Sequence, residues 1–388
     1  MAITIACRKF NSAFLSYCLV FAVFVLLVTG CASTPPIQTK ETESRQAWSL
    51  RIMPEEMVVA VSPVRQTMQI AGSFATVVGA AITAAQDAQN RNRIEAALGS
   101  LNASDLFREA IGKEMTTGRD GSNRIMVPPP QDIRNPQERR EADRKRFSAL
   151  RKQGITEVVD VTLKYGLFGP EGELLAVVQA SRIDTRSGRT RFREKWMVWA
   201  EPPNAFGPQG DPTRRMTPNI TAPRLAAASY AVDRWLVSNA EPLRQGLLRL
   251  ANGAADALSV GVNEKDIPNG WYILGVDALR RKHYQDARDF LEKAIQGSPD
   301  NTDYQLAYAV TLDRLKQRDA AVATVEQALK NHPDQPRLLV NLAWWLASDE
   351  RRAAEAETLF RRAIELGAPE YSAVRKAIQK AQKAARNR

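Results

Sequence analysis

The chain has 388 residues, of which 44% are hydrophobic and 25% charged, the composition of an ordinary globular protein with two or three domains. Lysine and arginine number 54 against 43 acidic residues, so the formal net charge is +11. Only two histidines and three cysteines are present, which excludes a Cys/His zinc module, a disulfide scaffold and a histidine-rich metal site. We therefore expect neither a metal nor a cofactor.

The N-terminal segment has the pattern of a secretory signal. Arg8 and Lys9 form a short basic segment, and residues 14–28 follow without a charge and with mostly apolar side chains. This apolar run is shorter than the roughly 20 residues that span a bilayer. Small residues then precede a cysteine, and the segment Val28–Cys31 resembles the lipobox of bacterial lipoproteins. The alternative is an uncleaved anchor with a chance cysteine.

The resemblance to bacterial lipoproteins implies a location for the protein. In that family the signal peptide, here residues 1–30, is removed, and the cysteine, here Cys31, is acylated on its sulfur and on its new amino group. Ala32 stands where retention at the inner membrane would favour Asp, which implies a lipid anchor at the periplasmic face of the outer membrane. We expect residues 31–45 to form a flexible tether between the lipid and the folded chain.

Residues 46–262 predict an α+β domain. The β-branched segment Met57–Val64 predicts a buried strand. Three alternating segments separated by glycine-containing turns predict an antiparallel meander: Ile155–Leu167, Leu174–Asp184 and Arg191–Trp199. Helical periodicity predicts four helices in this domain: Ala103–Met115, Arg140–Arg151, Ala222–Val237 and Leu243–Leu258.

The order of these elements resembles the periplasmic domains of several envelope lipoproteins, including the curli secretion channel family. The shared features are an early V-V-A-V strand, a helix, and a meander that contains a D-x-x-x-G turn, here Asp184 to Gly188. The resemblance implies at most a tendency to assemble in rings or with partners at the outer membrane.

An uncharged segment at residues 66–86 carries small residues at every fourth position, which continue to Ala88. On a helix these residues would form a stripe without bulk that permits close approach of another backbone. A functional interpretation is that residues 72–88 join copies of the chain into a homo-oligomer or insert at the membrane surface. The alternatives are a helix packed on the domain's own sheet and a loop.

Residues 263–388 contain three related segments at a spacing of 34 residues. Small residues recur where two helices of a pair would cross, namely at Gly275, Ala294, Ala309, Ala328, Ala343 and Ala363. Trp271, Leu274 and Gly275, followed by Ala287 and Leu291, resemble the W-x-x-L-G and A-x-x-x-F pattern of tetratricopeptide repeats. The resemblance implies an all-α solenoid of three repeats, closed by a capping helix that begins near Tyr371.

The same resemblance implies a groove lined by the first helix of each repeat. By register, the groove residues are Tyr272, Val276, Leu306, Val310, Val340 and Trp344. A groove that is apolar and partly aromatic suits an extended or helical peptide of a partner protein. The alternative is that several of these residues pack against the neighbouring domain or the capping helix.

The excess positive charge is concentrated in two segments. Residues 134–152 hold eight basic and three acidic residues, and the tail after Glu370 holds six basic residues and no acidic one. For a periplasmic protein we expect anionic lipid, an acidic glycan or an acidic protein surface as partner rather than nucleic acid. The alternative is that these segments are ordinary solvated surfaces.

The sequence lacks the nucleotide-binding, metalloprotease and hydrolase motifs, and we expect no enzymatic activity. The combined features predict a lipid-anchored periplasmic scaffold that binds a partner protein through its repeats in an envelope assembly. Pilus, secretion, polysaccharide-export and cell-wall machineries all fit this description. One alternative is a ring-forming component of an export channel. Another is a glycan-binding protein whose cleft would contain Trp196, Trp199 and Trp235.

Overall fold

The computed structural model describes most of the chain from Arg45 onwards. The predicted signal peptide, Cys31 and residues 32–44 of the predicted tether lie outside the described residues. For residues 73–84 and 225–230 only the backbone is described. The described ranges are 45–61, 73–116, 124–169, 172–201 and 225–386.

A six-stranded mixed sheet forms the centre of the N-terminal part. The strand order is β3-β1-β4-β5-β6, and β2 pairs with the last residues of β4, beyond the end of β1. The strands β1, β2 and β3 run parallel to their neighbours. Their bounds are β1 Arg45–Ile52, β2 Val58–Ala60, β3 Ile125–Met126, β4 Ile155–Phe168, β5 Glu173–Asp184 and β6 Thr190–Trp199.

The predicted antiparallel meander is confirmed. Strand β4 pairs antiparallel with β5, and β5 pairs antiparallel with β6. Along β4, Val159, Val161 and Leu163 are buried on one face and alternate with the less buried Asp160 and Thr162. This period of two is the pattern from which the strand was predicted.

Strand β1 lies partly in the predicted tether and has no clear signature in the sequence. Trp48 packs into the main core on one face of the sheet, whereas Ala47 belongs to a smaller cluster on the other face. Because both faces are covered here, Ala47, Trp48 and Ser49 are buried in succession and the alternation is lost. Of the strand predicted at Met57–Val64, the structure shows β2 at Val58–Ala60, and residues 62–64 lie outside the described residues.

Helices cover both faces of the sheet. The main core joins the sheet to α1, α2 and α4, through residues such as Ile94, Phe107 and Leu243. Helix α3 packs on the opposite face, where Arg146 forms two hydrogen bonds with the carboxylate of Asp160 at 2.6 and 2.8 Å. The bounds are α1 Ser73–Leu98, α2 Ala103–Thr116, α3 Pro136–Lys152 and α4 Leu225–Gly261.

Two helix boundaries differ from the prediction. Helix α3 begins four residues earlier than Arg140, because Asn135 caps it by accepting a hydrogen bond from the Gln137 amide and Pro136 fits the first turn. The two helices predicted before residue 262 form one long element, α4. Its backbone is non-helical at Val237–Ala240, so the predicted interruption is present.

The C-terminal part consists of helix pairs with the predicted spacing. Gly275 of α5 faces Leu291 of α6 so closely that an added Cβ would lie 2.6 Å from the leucine Cγ. The three predicted pairs and the final helix are all present, whereas the curvature of a solenoid stays a prediction. The helices are α5 Pro268–Arg280, α6 Tyr284–Gly297, α7 Thr302–Arg314, α8 Arg318–Asn331, α9 Pro336–Leu346, α10 Ala353–Glu365 and α11 Ser372–Arg386.

The first repeat packs directly against the sheet, and residues 45–388 form one compact unit. The buried carboxylate of Asp277 on α5 accepts a hydrogen bond from the amide of Met197 at 3.3 Å, and Arg281 donates to the carbonyl of Lys195. Helix α5 therefore covers the outer edge of β6 in this region. The division into separate domains at residue 262 stays a prediction.

Candidate protein-binding surface

Residues 34 apart occupy equivalent positions on the first helices of the repeats. Asn269, Asp303 and Arg337 form one such set, which we call the polar row. Arg337 Nη1 donates to Asp303 Oδ1 at 2.5 Å, and Tyr304 Oη lies 3.5 Å from Asn269 Oδ1. The ring of Tyr304 stacks on that of Tyr272, with 4.7 Å between the centroids. Polar contacts therefore link α5, α7 and α9.

A cavity of about 280 Å³ lies beside the polar row, where the first two repeats meet the sheet. We call it the repeat–sheet cavity. Its walls come from the end of β6, from α4, from α5 and from the start of α7. The lining includes Trp199, Arg249, Asn269, Tyr272, Asp303 and Tyr304. The cavity therefore combines aromatic surface with charged and amide groups, a composition suited to a peptide segment.

The predicted groove residues differ in their exposure. Tyr272 and Val276 line the repeat–sheet cavity. Tyr272 and Trp344 are half-buried. The other four are buried in or against the core of the repeats, with exposed fractions between 1% and 6%: Val276, Leu306, Val310 and Val340. Their direct contact with a partner stays a prediction, and Trp344 is the member of the third repeat with exposed side-chain surface.

Two polar groups near the cavity have no hydrogen-bond partner among the described residues, namely Tyr272 Oη and Arg337 Nη2. Burial raises the pKa of Tyr272 well above its ordinary value, and the Asp303 carboxylate raises it further. Burial also raises the pKa of Tyr304 to about 12. Both tyrosines therefore remain protonated at neutral pH and keep a hydroxyl that can donate a hydrogen bond.

The polar row was not anticipated, although the sequence contains its signal. Asn269 stands two residues before Trp271, so extension of the 34-residue register identifies Asp303 and Arg337 at the same position. Trp199 and Arg249 reach the cavity only through the packing of β6 and α4 against the repeats. No spacing along the chain predicts that contact.

The three tryptophans that were predicted to line a glycan-binding cleft do not line a common cleft. Trp196 and Trp235 lie in the main core with exposed fractions of 6% and 1%. The indole of Trp235 donates a hydrogen bond to the carbonyl of Gly172 at 2.7 Å. Trp199 lines the repeat–sheet cavity, and the guanidinium of Arg280 lies 5.4 Å from its ring centroid.

The side chains of the small-residue segment lie largely outside what the structure describes. Residue 72 is among those left out, and the backbone is helical from Ser73 to Leu98. Within the stripe, the side chain of Ala88 is described, and it is exposed. None of the helices formed by the described residues combines the length and apolar character needed to cross a membrane. Self-association through residues 72–88 stays a prediction.

The two histidines lie at helix ends in the repeats. His283 precedes α6 and is exposed, whereas His332 follows α8 and is half-buried. Across the described part of the chain, no three His, Cys, Asp or Glu side chains are grouped so that they could hold a metal ion.

Comparison with known proteins supports the prediction of tetratricopeptide repeats. A family profile described as Tetratricopeptide repeat matches residues 278–341, from the end of α5 into α9. Over 109 residues the chain is 29% identical to the human protein named Protein IFIT1 homolog B. The matched segment covers 26% of this chain and 22% of the human protein. No solved structure matches the chain. The chain therefore contains tetratricopeptide repeats, and repeats of this kind support protein–protein interaction.

Proposed function

We propose that this protein is a lipid-anchored scaffold at the periplasmic face of a bacterial outer membrane, where its repeats bind a partner protein. The observation that carries the proposal is the tetratricopeptide match over residues 278–341, next to a cavity beside the first helices of the repeats. No catalytic role is needed in this account. The scaffold recruits its partner into an envelope assembly and holds it close to the membrane.

The chemistry of the proposed binding surface favours a peptide segment with both apolar and polar groups. Tyr272, Tyr304 and Trp199 offer aromatic surface to apolar side chains. The polar side chains of Asn269, Asp303 and Arg249 also line the cavity and can form hydrogen bonds with the main chain of a partner peptide. Trp344 offers a further apolar contact on the third repeat.

The lipobox-like segment Val28–Cys31 supports the proposed anchor. Attachment to a membrane confines the scaffold and its partner to a thin layer, so that weak contacts gain from a raised effective concentration. A Cys31→Ser variant tests this part of the proposal. We expect the wild-type chain in the membrane fraction with acyl chains detected on Cys31 by mass spectrometry, and the variant unacylated. An unmodified Cys31 in the wild-type chain would contradict the anchor.

The partner-binding part is tested by substitution of a half-buried aromatic residue on each side of the repeats. Trp344→Ala removes the exposed apolar contact on α9. Tyr308→Ala is the matched control, because Tyr308 is equally half-buried but lies on α7 towards Glu292 and Arg288 of α6. After crosslinking in intact cells and affinity capture, we expect the partner to be lost with Trp344→Ala and kept with Tyr308→Ala. Equal recovery with both variants, each folded by circular dichroism, would contradict the proposal.

A further inference from the structure

Six exposed cations gather at one end of the sheet, which we call the basic end. They come from three separate segments: the start of β1, the end of α3, and the turn between β5 and β6. Arg151 and Lys152 end the basic segment 134–152, and the fold adds to them the cations of β1 and of the turn, which are distant in the sequence. The members are Arg45, Arg151, Lys152, Arg186, Arg189 and Arg191.

Direct contacts bring these segments together. Arg151 on α3 donates a hydrogen bond to the carbonyl of Thr185, which begins the turn after β5. Arg45 pairs with Ile155 at the start of β4, and its side chain lies over Gly154, where an added Cβ would be 3.8 Å from Nη1. The ring of Phe147 on α3 lies beside Gly188 in the turn. The basic end is therefore a continuous surface.

The acidic side chains of β4 and β5 at the basic end are already paired with other groups. Asp184 accepts hydrogen bonds from the amide and hydroxyl of Ser187, at 2.7 and 2.9 Å, and from Arg191. These contacts lower the pKa of Asp184 to about 2, so it stays ionised and offsets one cation. Glu157 lies 3.8 Å from Arg182, a cation outside the group of six. The basic end keeps a strong excess of positive charge.

Arg45 is the first described residue, so the segment that precedes it joins the folded chain at the basic end. If Cys31 carries the lipid, as the proposed function states, the 13 residues 32–44 join the lipidated cysteine to Arg45. Such a segment spans at most about 50 Å, whatever its conformation. The end of the folded chain at which the tether attaches is therefore the end with the excess of cations.

We propose that the basic end docks on the anionic phospholipid headgroups of the leaflet that holds the lipid. This inference rests on the proposed function, because the proposed anchor is what makes a lipid leaflet the binding partner of the basic end. Arginine and lysine near an anionic bilayer each strengthen binding by roughly fivefold, and several together give a stable orientation. Trp199 and the repeat–sheet cavity lie at the other end of β6, roughly 30 Å away at the usual rise per strand residue. Docking would therefore leave the partner-binding surface facing away from the membrane.

The test uses the full chain extracted from membranes and reconstituted in vesicles that contain a headgroup-linked nitroxide quencher. A fluorescent amino acid replaces exposed Thr190, in the basic end, or exposed Gln379, on α11. On phosphatidylcholine vesicles with added phosphatidylglycerol, we expect strong quenching at position 190 and little at 379. We expect high salt to lower the apparent affinity of the basic end for the headgroups at least tenfold, because salt screens exposed charges. The loss of affinity would be measured as weaker quenching at position 190.

A charge-reversal variant and a matched control identify the residues responsible. Arg186→Glu with Arg189→Glu should abolish the quenching at position 190. Lys376→Glu with Lys380→Glu on α11 changes the net charge equally and should leave the quenching intact, since both lysines are exposed but lie outside the basic end. Equal quenching at position 190 on neutral and anionic vesicles would overturn the proposal, as would insensitivity to the arginine substitutions. Absence of quenching at position 190 in the chain that keeps both arginines, together with loss of partner capture in the arginine variant, would also overturn the proposal and would assign the basic end to a protein.

Flotation of the same samples separates failure of docking from failure of the anchor. A lipid-anchored chain floats with neutral and anionic vesicles alike. Flotation without quenching at position 190 would keep the anchor and reject the docking. Flotation only with anionic vesicles, lost in the arginine variant, would support the docking and reject the anchor. No flotation with either kind of vesicle would reject both.

Discussion

At the scale of single residues, the helix pairs depend on positions that have no room for a side chain. Gly275 is the clearest, because an added Cβ would lie 2.6 Å from Leu291 Cγ and 3.4 Å from the carbonyl oxygen of Ala287. Leu291 is fully buried, with neighbours on all sides, so it cannot move away easily. Glycine at this position is required by the crossing of α5 and α6 rather than by backbone conformation.

We therefore expect Gly275→Ala to lower the free energy of unfolding by about 1–3 kcal/mol through overpacking. Gly112→Ala provides the matched control, because Gly112 also lies inside a helix, α2, and has open space around its Cα. There the same substitution should stabilise the protein by about 0.5–1 kcal/mol, since alanine is the better helix former. Chemical denaturation of the two variants measures both changes. A stabilising Gly275→Ala would show that the helices do not cross as described.

At the scale of elements, polar contacts fix how helices from distant parts of the chain meet. Glu114 on α2 accepts hydrogen bonds from Ser259 near the end of α4 and from Lys265 before α5, both at 2.6 Å. Burial alone would raise the pKa of Glu114, but the hydrogen bonds from Lys265 and Ser259 outweigh it and lower the pKa. The ionised carboxylate thus joins α2 to the junction between the sheet and the repeats.

This contact predicts a pH-dependent contribution to stability. Because the pKa is lower in the folded state, the unfolded state binds more protons, and the contribution is full above the ordinary pKa of glutamate. It is lost as the pH falls through the folded-state pKa. We expect Glu114→Gln to lower the free energy of unfolding by about 1 kcal/mol at neutral pH and to have little effect in strong acid. A difference that stays constant from neutral pH to below the folded-state pKa would contradict the assignment of this contact.

An element could be predicted from the sequence when its residues follow a regular period. The meander and the repeat helices were predicted because each has a regular period over its length, two along β4 and 34 between repeats. Strand β1 was missed because Ala47 and Trp48 are buried on opposite faces of the sheet, which removes the alternation. Helix α3 was predicted four residues too short because its start depends on Asn135 and Pro136 rather than on apolar spacing.

At the scale of the whole molecule, the sheet packs against the first repeat, and the two line a cavity together. Asp277 and Arg281 bind the edge of β6, and Trp199 of β6 lines a cavity with Tyr272 of the first repeat. The sequence predicted that the first helices carry the binding surface. It could not predict that the sheet lines a cavity beside these helices, because no local pattern records which elements pack together.

Burial also changes which predicted residues can serve as probes of binding. Val340 has an exposed fraction of 2%, so a charged residue there would be buried in the repeat core and would act through unfolding. Trp344, one turn further along α9, keeps exposed surface and reports on contact with a partner. The polar row offers a second accessible position, since the Arg337 side chain is 41% exposed.

The central claim is that the first-helix side of the repeats binds a partner protein, and site-specific photocrosslinking in intact cells tests it most directly. A photoreactive benzoylphenylalanine replaces Trp344 in one strain and Tyr308 in another, so that one probe lies on the proposed binding side and the other faces α6. Our account predicts a discrete adduct with a second protein from position 344 and none from position 308. No adduct at position 344, or the same adducts from both positions, would contradict it.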